Sequence, residues 1–316
     1  MPLLLIKEDL KFFFSTLRKA FNLFQKNDPL RLAGATAFFT NFALPPILII
    51  LIRLFGLFTD RRMLVTNIFD RLANILDEDS IKQIRLTLRN IRGIDQEWYV
   101  TLLSFVFFLF VATTLFNVIK NSLEQIWNIG MNGKKGIVNT LKSRAISVTI
   151  ILLAGILFLL GLLADSIQAV IGSYLKTNSP SFELVATSII NQIVFVIIVT
   201  AWFTILFRFL TNGRPTWRAA ISGGLLTGCL FTAGKYILRI LLPLSNISNI
   251  YGSAGSIIVI MLFVFYSSLI FYFGASFIKA LSVGRETPII PKNGAFAYEL
   301  TEIEDEMVGH KKRIDL

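Results

Sequence analysis

Lys235 and Arg239 stand four residues apart inside an otherwise apolar stretch, Trp217–Leu242, and that spacing puts both on one face of a helix. Arg53 holds a similar place near the end of another apolar run, Leu32–Leu57. Ionisable groups in such surroundings are costly and mark candidate functional sites. If the later helix ends near Leu242, Lys235 and Arg239 lie about 10 and 5 Å inside a membrane boundary. Three cations there would suit a phosphate or carboxylate headgroup. The plainer alternative is that all three reach out to the headgroup layer, or pair with Asp165.

The uncharged candidates are amides and prolines. Asn41 falls near the middle of its apolar run, where a short side chain cannot reach water. Asn191 and Gln192 fall seven and eight residues into the run Leu184–Phe207. Amides at such depth either join helices to one another or face a wet cavity. Pro45-Pro46 frees backbone carbonyls next to Asn41 and predicts a kink. That kink could serve as a hinge or simply be fixed shape.

Other chemistries are excluded by count. The single histidine, His310, sits among Lys311, Lys312 and Arg313, and the single cysteine is Cys229. A histidine-based triad, a multi-histidine metal site and an internal disulfide are ruled out. The acids fall mostly in polar segments, so no cluster for acid/base or two-metal hydrolysis is apparent. No Gly-rich Lys-Ser/Thr loop is present for a nucleotide phosphate. The sequence points to no enzyme, no cofactor and no metal.

Elements able to position these residues follow from composition. Of 316 residues, 54% are hydrophobic and only 16% charged, too apolar for one water-soluble core. The fold class is all-α: a polytopic membrane protein with six transmembrane helices, at Leu32–Leu57, Trp98–Ile119, Ala145–Leu163, Leu184–Phe207, Trp217–Leu242 and Ala254–Leu281. The runs are continuous and lack the alternation of a barrel wall. Basic residues concentrate in the N-terminal arm, the second and fourth connections and the tail, which predicts both termini in the cytoplasm. The net charge of +11 is read as contact with anionic membrane lipid, not nucleic acid.

Three smaller features complete the outline. Leu10, Phe13, Phe14, Leu17, Phe21 and Phe24 recur at helical spacing, predicting an N-terminal amphipathic interfacial helix over residues 1–28; the opening run Leu3–Ile6 is too short for a secretory leader. Residues 58–97 carry two further helical patterns, read as an outer-face hairpin with Ser80 as N-cap. Residues 285–316 read as a polar, disordered cytoplasmic tail after a membrane domain over 1–284. Ala220, Gly224, Gly228 and Thr232 form a small-residue seam that could bring helices close, or pair two copies in a homo-oligomer.

Four stretches carry a family likeness: Leu32-Ala33-Gly34-Ala35-Thr36-Ala37-Phe38-Phe39 leading to Pro45-Pro46; Asn121-Ser122-Leu123-Glu124-Gln125-Ile126-Trp127; Arg208-Phe209-Leu210 with Arg214-Pro215-Thr216-Trp217-Arg218; and Tyr251-Gly252-Ser253-Ala254-Gly255. In this order and spacing, across residues 10–285, the chain resembles the YihY/BrkB family of bacterial inner-membrane proteins. Where many members read Gly-Ala-Glu in the last span, this chain has Gly274-Ala275-Ser276. Family members have carried a ribonuclease label and links to virulence and lipid transport. The ribonuclease label finds no acid/base set here and is rejected. The resemblance and the residues together imply binding or transport of an anionic lipid or other amphiphile. A non-catalytic membrane scaffold is the alternative.

Overall fold

In a bilayer a long apolar run can satisfy its backbone N–H and C=O groups only within itself, as a helix, and these runs form helices. The computed structural model describes residues 2–55, 60–73, 78–92, 98–131, 180–244, 251, 254–292 and 294–299, with positions 149, 153 and 156. In order come α1 (Pro2–Lys26), α2 (Pro29–Phe55), α3 (Arg61–Ala73), α4 (Glu78–Arg92), α5 (Trp98–Trp127) and β1 (Ile129–Met131). Then follow α6 (Pro180–Phe209), β2 (Gly213–Arg214), α7 (Trp217–Leu244), α8 (Gly255–Gly284), β3 (Ile290–Pro291) and β4 (Ala295–Ala297). The protein is mostly helical and contains no closed sheet among these residues.

Among the described residues, four helices are long and apolar enough to cross a membrane: Pro29–Ile49, Gln192–Phe209, Trp217–Leu241 and Gly255–Gly284. α5 contains the expected second span, while the expected third, Ala145–Leu163, lies outside the described residues apart from isolated positions, as does Asp165.

α8 is the hub. It packs against α1, α2, α5 and α7, and its first turns meet α4. Tyr272, Ala275 and Ile278 on α8 have no exposed surface, and Phe271 stacks on Phe207 of α6 with ring centroids 4.8 Å apart. Lipid tails are as apolar as these side chains, so close van der Waals packing carries the association. α6 and α7 supply it through small residues. A Cβ on Gly224 would overlap Thr204 Oγ1 and stand 2.9 Å from the Thr200 carbonyl oxygen; one on Gly228 would stand 2.8 Å from Thr200 Oγ1. Neither threonine hydroxyl has a conventional hydrogen-bond partner among the described residues. Each oxygen instead faces a glycine Cα–H, a weak but recurrent helix–helix contact. At Gly224 and Gly228 the small-residue seam is thus filled by α6 of the same chain.

One end of the bundle, called here the hairpin end, carries α3 and α4. Phe69, Ile84 and Leu88 pack on Ile260 of α8. Ser80 is not the N-cap: α4 begins at Glu78, and the fully buried Ser80 hydroxyl donates to the Ser256 carbonyl at 3.1 Å, tying the hairpin to α8. The opposite, loop end carries α1 and both ladders. α1 packs on α8 through Phe13–Phe277 and Phe24–Phe273 ring contacts, leaving Phe14 and Phe21 exposed.

The stretch 285–299, the first part of the segment expected to be disordered, contains β3 and β4. They pair antiparallel with β2 and β1, in registers Gly213↔Pro291 and Gly130↔Phe296. The physical reason is packing. Phe296 covers Gly130, where a Cβ would stand 2.6 Å from its ring, and Lys292 binds Thr211 and Asn212 through its ammonium and its backbone N–H.

Candidate functional site

The far end of α7 gathers most of the chemistry. Counting from Trp217, Lys235 lies about 27 Å and Arg239 about 33 Å along the axis. With Trp217 taken at one boundary of a hydrocarbon core about 30 Å thick, the two cations fall near the other, at the hairpin end. Lys235 is half-buried against α6. Its ammonium stands 4.0 Å from the ring centroid of Phe195 and 5.3 Å from that of Tyr236. A cation over an aromatic face is stabilised by the ring quadrupole, most strongly where water is scarce. Tyr236 in turn donates from Oη to Gln192 Oε1 at 2.8 Å, locking α7 to α6 at the same depth. Arg239, one turn further on, is exposed. Among the described residues no carboxylate lies within ion-pair distance of either cation.

Local sequence explains the placement. Gly224 and Gly228 let α6 approach α7, which carries Gln192 and Phe195 up to Tyr236 and Lys235. On the other side, Gly234 admits Tyr266 of α8, whose ring and hydroxyl occupy the space a Cβ would fill. Tyr266 and Phe195 were missed by sequence reasoning. The available signal was Gly234, a mid-helix glycine one residue before the cation, which implies a close neighbour.

Asn41, another of the sequence-derived candidates, does not join this group. Asn41 lies about 18 Å along α2 from Pro29 and is half-buried. α2 packs on α8 and α5, whereas α6 and α7 pack on each other, so α8 stands between Asn41 and Lys235. Asn41 and Lys235 therefore lie on different sides of α8. Pro45 is half-buried and Pro46 buried; the helix continues through both to Phe55. The rings leave the carbonyls of Asn41 and Phe42 without their usual intrahelical donors. Arg53 and Asn191 lie on α2 and α6, with side chains outside the described residues.

A second polar cluster is wholly internal. The Tyr272 hydroxyl meets Thr36 Oγ1 at 2.6 Å. Thr36 and Ser122 each donate to their own helix, at Leu32 O and Val118 O. These bonds satisfy hydroxyls at the α2–α5–α8 junction, a structural task.

At the loop end two of the sequence stretches quoted above come together. Glu124 Oε1 accepts the backbone N–H of Asn212 at 3.0 Å, and Trp127 Nε1 donates to the Ala275 carbonyl at 3.0 Å. Lys279 reaches the Ile126 carbonyl at 2.9 Å. The stretch around Glu124 is thereby fixed to both the α6–α7 loop and α8. The profile of the virulence factor BrkB family matches this chain over residues 20–294. The chain belongs to that family. BrkB-family relatives include a UPF0761 membrane protein of Pseudomonas paraeruginosa, 26% identical over 60% of this chain and 44% of its own length. Another, from Pelodictyon phaeoclathratiforme, is 25% identical over 79% of this chain and 56% of its own. The chain thus spans about half the length of the curated relatives it matches. No solved structure matches it. Family membership and four apolar helices make it a membrane protein.

Proposed function

We propose that this BrkB-family protein binds an anionic lipid, or another anionic amphiphile, at the hairpin end of α6 and α7, and that it acts in the transport of such a molecule. The observation that carries the reading is the pair Lys235 and Arg239 at headgroup depth, unpaired with any described carboxylate and flanked by lipid-exposed Ile237, Ile240 and Leu241. A phosphate or carboxylate headgroup would supply the missing counter-charge, and its chains would lie along the exposed apolar residues. Tyr236, Gln192 and Tyr266 add hydrogen-bonding groups beside the cations.

Six helices span the bacterial inner membrane with both termini cytoplasmic, α1 lies in the inner interface, and α3–α4 cap the outer face. The protein performs no catalysis, takes no cofactor and binds no nucleic acid. The test is reconstitution of wild-type protein and the K235Q/R239Q variant into vesicles containing phosphatidylglycerol. Binding and movement of labelled lipid should fall in the variant; unchanged values would remove this site from the account.

A second reading, a non-catalytic scaffold, is favoured by the close α6–α7–α8 packing, where a Cβ on Gly223, Gly224, Gly228 or Gly274 would overlap a neighbouring side chain. It expects normal lipid binding at the rim with no lipid movement.

A further inference from the structure

The same helix carries a second constellation at its other end. Trp217 opens α7 and is 52% exposed, and Phe209 of α6, 41% exposed, packs edge-on against it at 5.9 Å. The Arg208 guanidinium lies over the Trp217 indole at 5.0 Å and donates to the Pro215 carbonyl, which fixes the loop. Arg214 and Arg218 are exposed on either side of Trp217, and no described carboxylate lies within ion-pair distance of them. The acid that reaches this loop, Glu124, is buried and turned to the Asn212 N–H and Lys120. One and two turns into the helix, exposed Ile221 and Leu225 continue the face that Trp217 begins.

We infer that Arg214, Trp217 and Arg218 form an inner-leaflet dock for anionic phospholipid. The two guanidinium groups engage the phosphate, the indole sits at the headgroup boundary, and the acyl chains follow Ile221 and Leu225. Arg208 is a positioning residue, holding the indole and the loop. The occupant is a lipid and not a soluble anion because the cations are paired with exposed aromatic and aliphatic surface. A free phosphate would use only the guanidinium groups. The dock rests on the proposed orientation, with the loop end cytoplasmic, but not on lipid binding at Lys235 and Arg239.

The experiment uses the full chain in vesicles of phosphatidylcholine containing a minor share of brominated lipid, which quenches nearby tryptophan. Subtracting the signal of the W217F variant isolates Trp217. In the wild type, brominated phosphatidylglycerol should quench Trp217 more strongly than brominated phosphatidylcholine, and rising salt should erode the preference. R214Q/R218Q should abolish the preference, up to about 30-fold in relative affinity. K235Q/R239Q should leave it unchanged, so failure of the other site is read separately. Equal quenching by the two lipids in the wild type, or a preference that survives R214Q/R218Q, would overturn the dock. Inorganic phosphate competing as well as the lipid would show an anion site without lipid specificity, and would overturn it too.

Discussion

Replacing Gly224 by alanine tests the packing that positions the α6–α7 site. The added Cβ would overlap Thr204 Oγ1, which can rotate away, but it would also stand 2.9 Å from the Thr200 carbonyl oxygen and 3.1 Å from the Thr204 nitrogen. Those are backbone atoms. Ordinary contact begins near 3.4 Å, so the two helices must part by about 0.5 Å or bend, an overpacking cost of about 1–3 kcal/mol. Alanine itself favours helix over glycine by about 1 kcal/mol, so a control must share that gain. Gly34 on α2 provides it, because a Cβ there meets nothing within 4 Å. The expected result is that G224A is less stable than G34A by about 1–3 kcal/mol, about 5- to 150-fold in the unfolding constant. Reversible unfolding in mixed micelles, followed by tryptophan fluorescence, measures it. Adding T204A to G224A should recover only part of the loss, since the Thr200 carbonyl contact remains. If G224A and G34A are equally stable, α6 and α7 do not approach as described, and the alignment of Gln192 with Tyr236 fails with them.

Three further outcomes follow from the loop end and the core. E124A strips the half-buried Asn212 N–H of its acceptor and should cost about 1 kcal/mol or more, whereas E124Q keeps an oxygen there and should cost less; thermal unfolding in detergent separates them. Y272F removes a fully buried hydroxyl from Thr36 and should cost about 1 kcal/mol in the same assay. Ending the chain after Gly284 removes β3 and β4 and uncovers β1 and β2, so limited proteolysis should cut near residues 129–131 and 211–214 faster than in the full chain, without cutting within the apolar helices.

The helices were legible because a bilayer leaves the backbone few alternatives. The expected spans Leu184–Phe207, Trp217–Leu242 and Ala254–Leu281 fall within α6, α7 and α8 or within a residue of their ends. The Ala220–Thr232 seam was legible as close packing but not as to its partner. Small residues state that something approaches, and only the fold shows that Thr200 and Thr204 do so. The same limit governed the site. Lys235 and Arg239 stood out as charges in apolar sequence, and Gln192 as an amide at depth. Their grouping with Phe195 and Tyr266 depends on helix pairing that a linear pattern does not encode. Asn41 shares the chemistry of Gln192 but not its neighbours, because α2 lies on the other side of α8. The tail strands escaped notice because Ile290–Pro291 and Ala295–Ala297 are too short to show alternation, and their order comes from pairing with distant loops.

Native mass spectrometry of the protein released from mixed phosphatidylglycerol and phosphatidylcholine nanodiscs tests the proposed lipid site most directly. Wild-type protein should retain phosphatidylglycerol in preference to phosphatidylcholine, and K235Q/R239Q should retain fewer phosphatidylglycerol molecules while R214Q/R218Q keeps those bound at the hairpin end. Retention that is equal for the two lipids, or identical in wild type and K235Q/R239Q, would contradict recognition of an anionic headgroup at the end of α7.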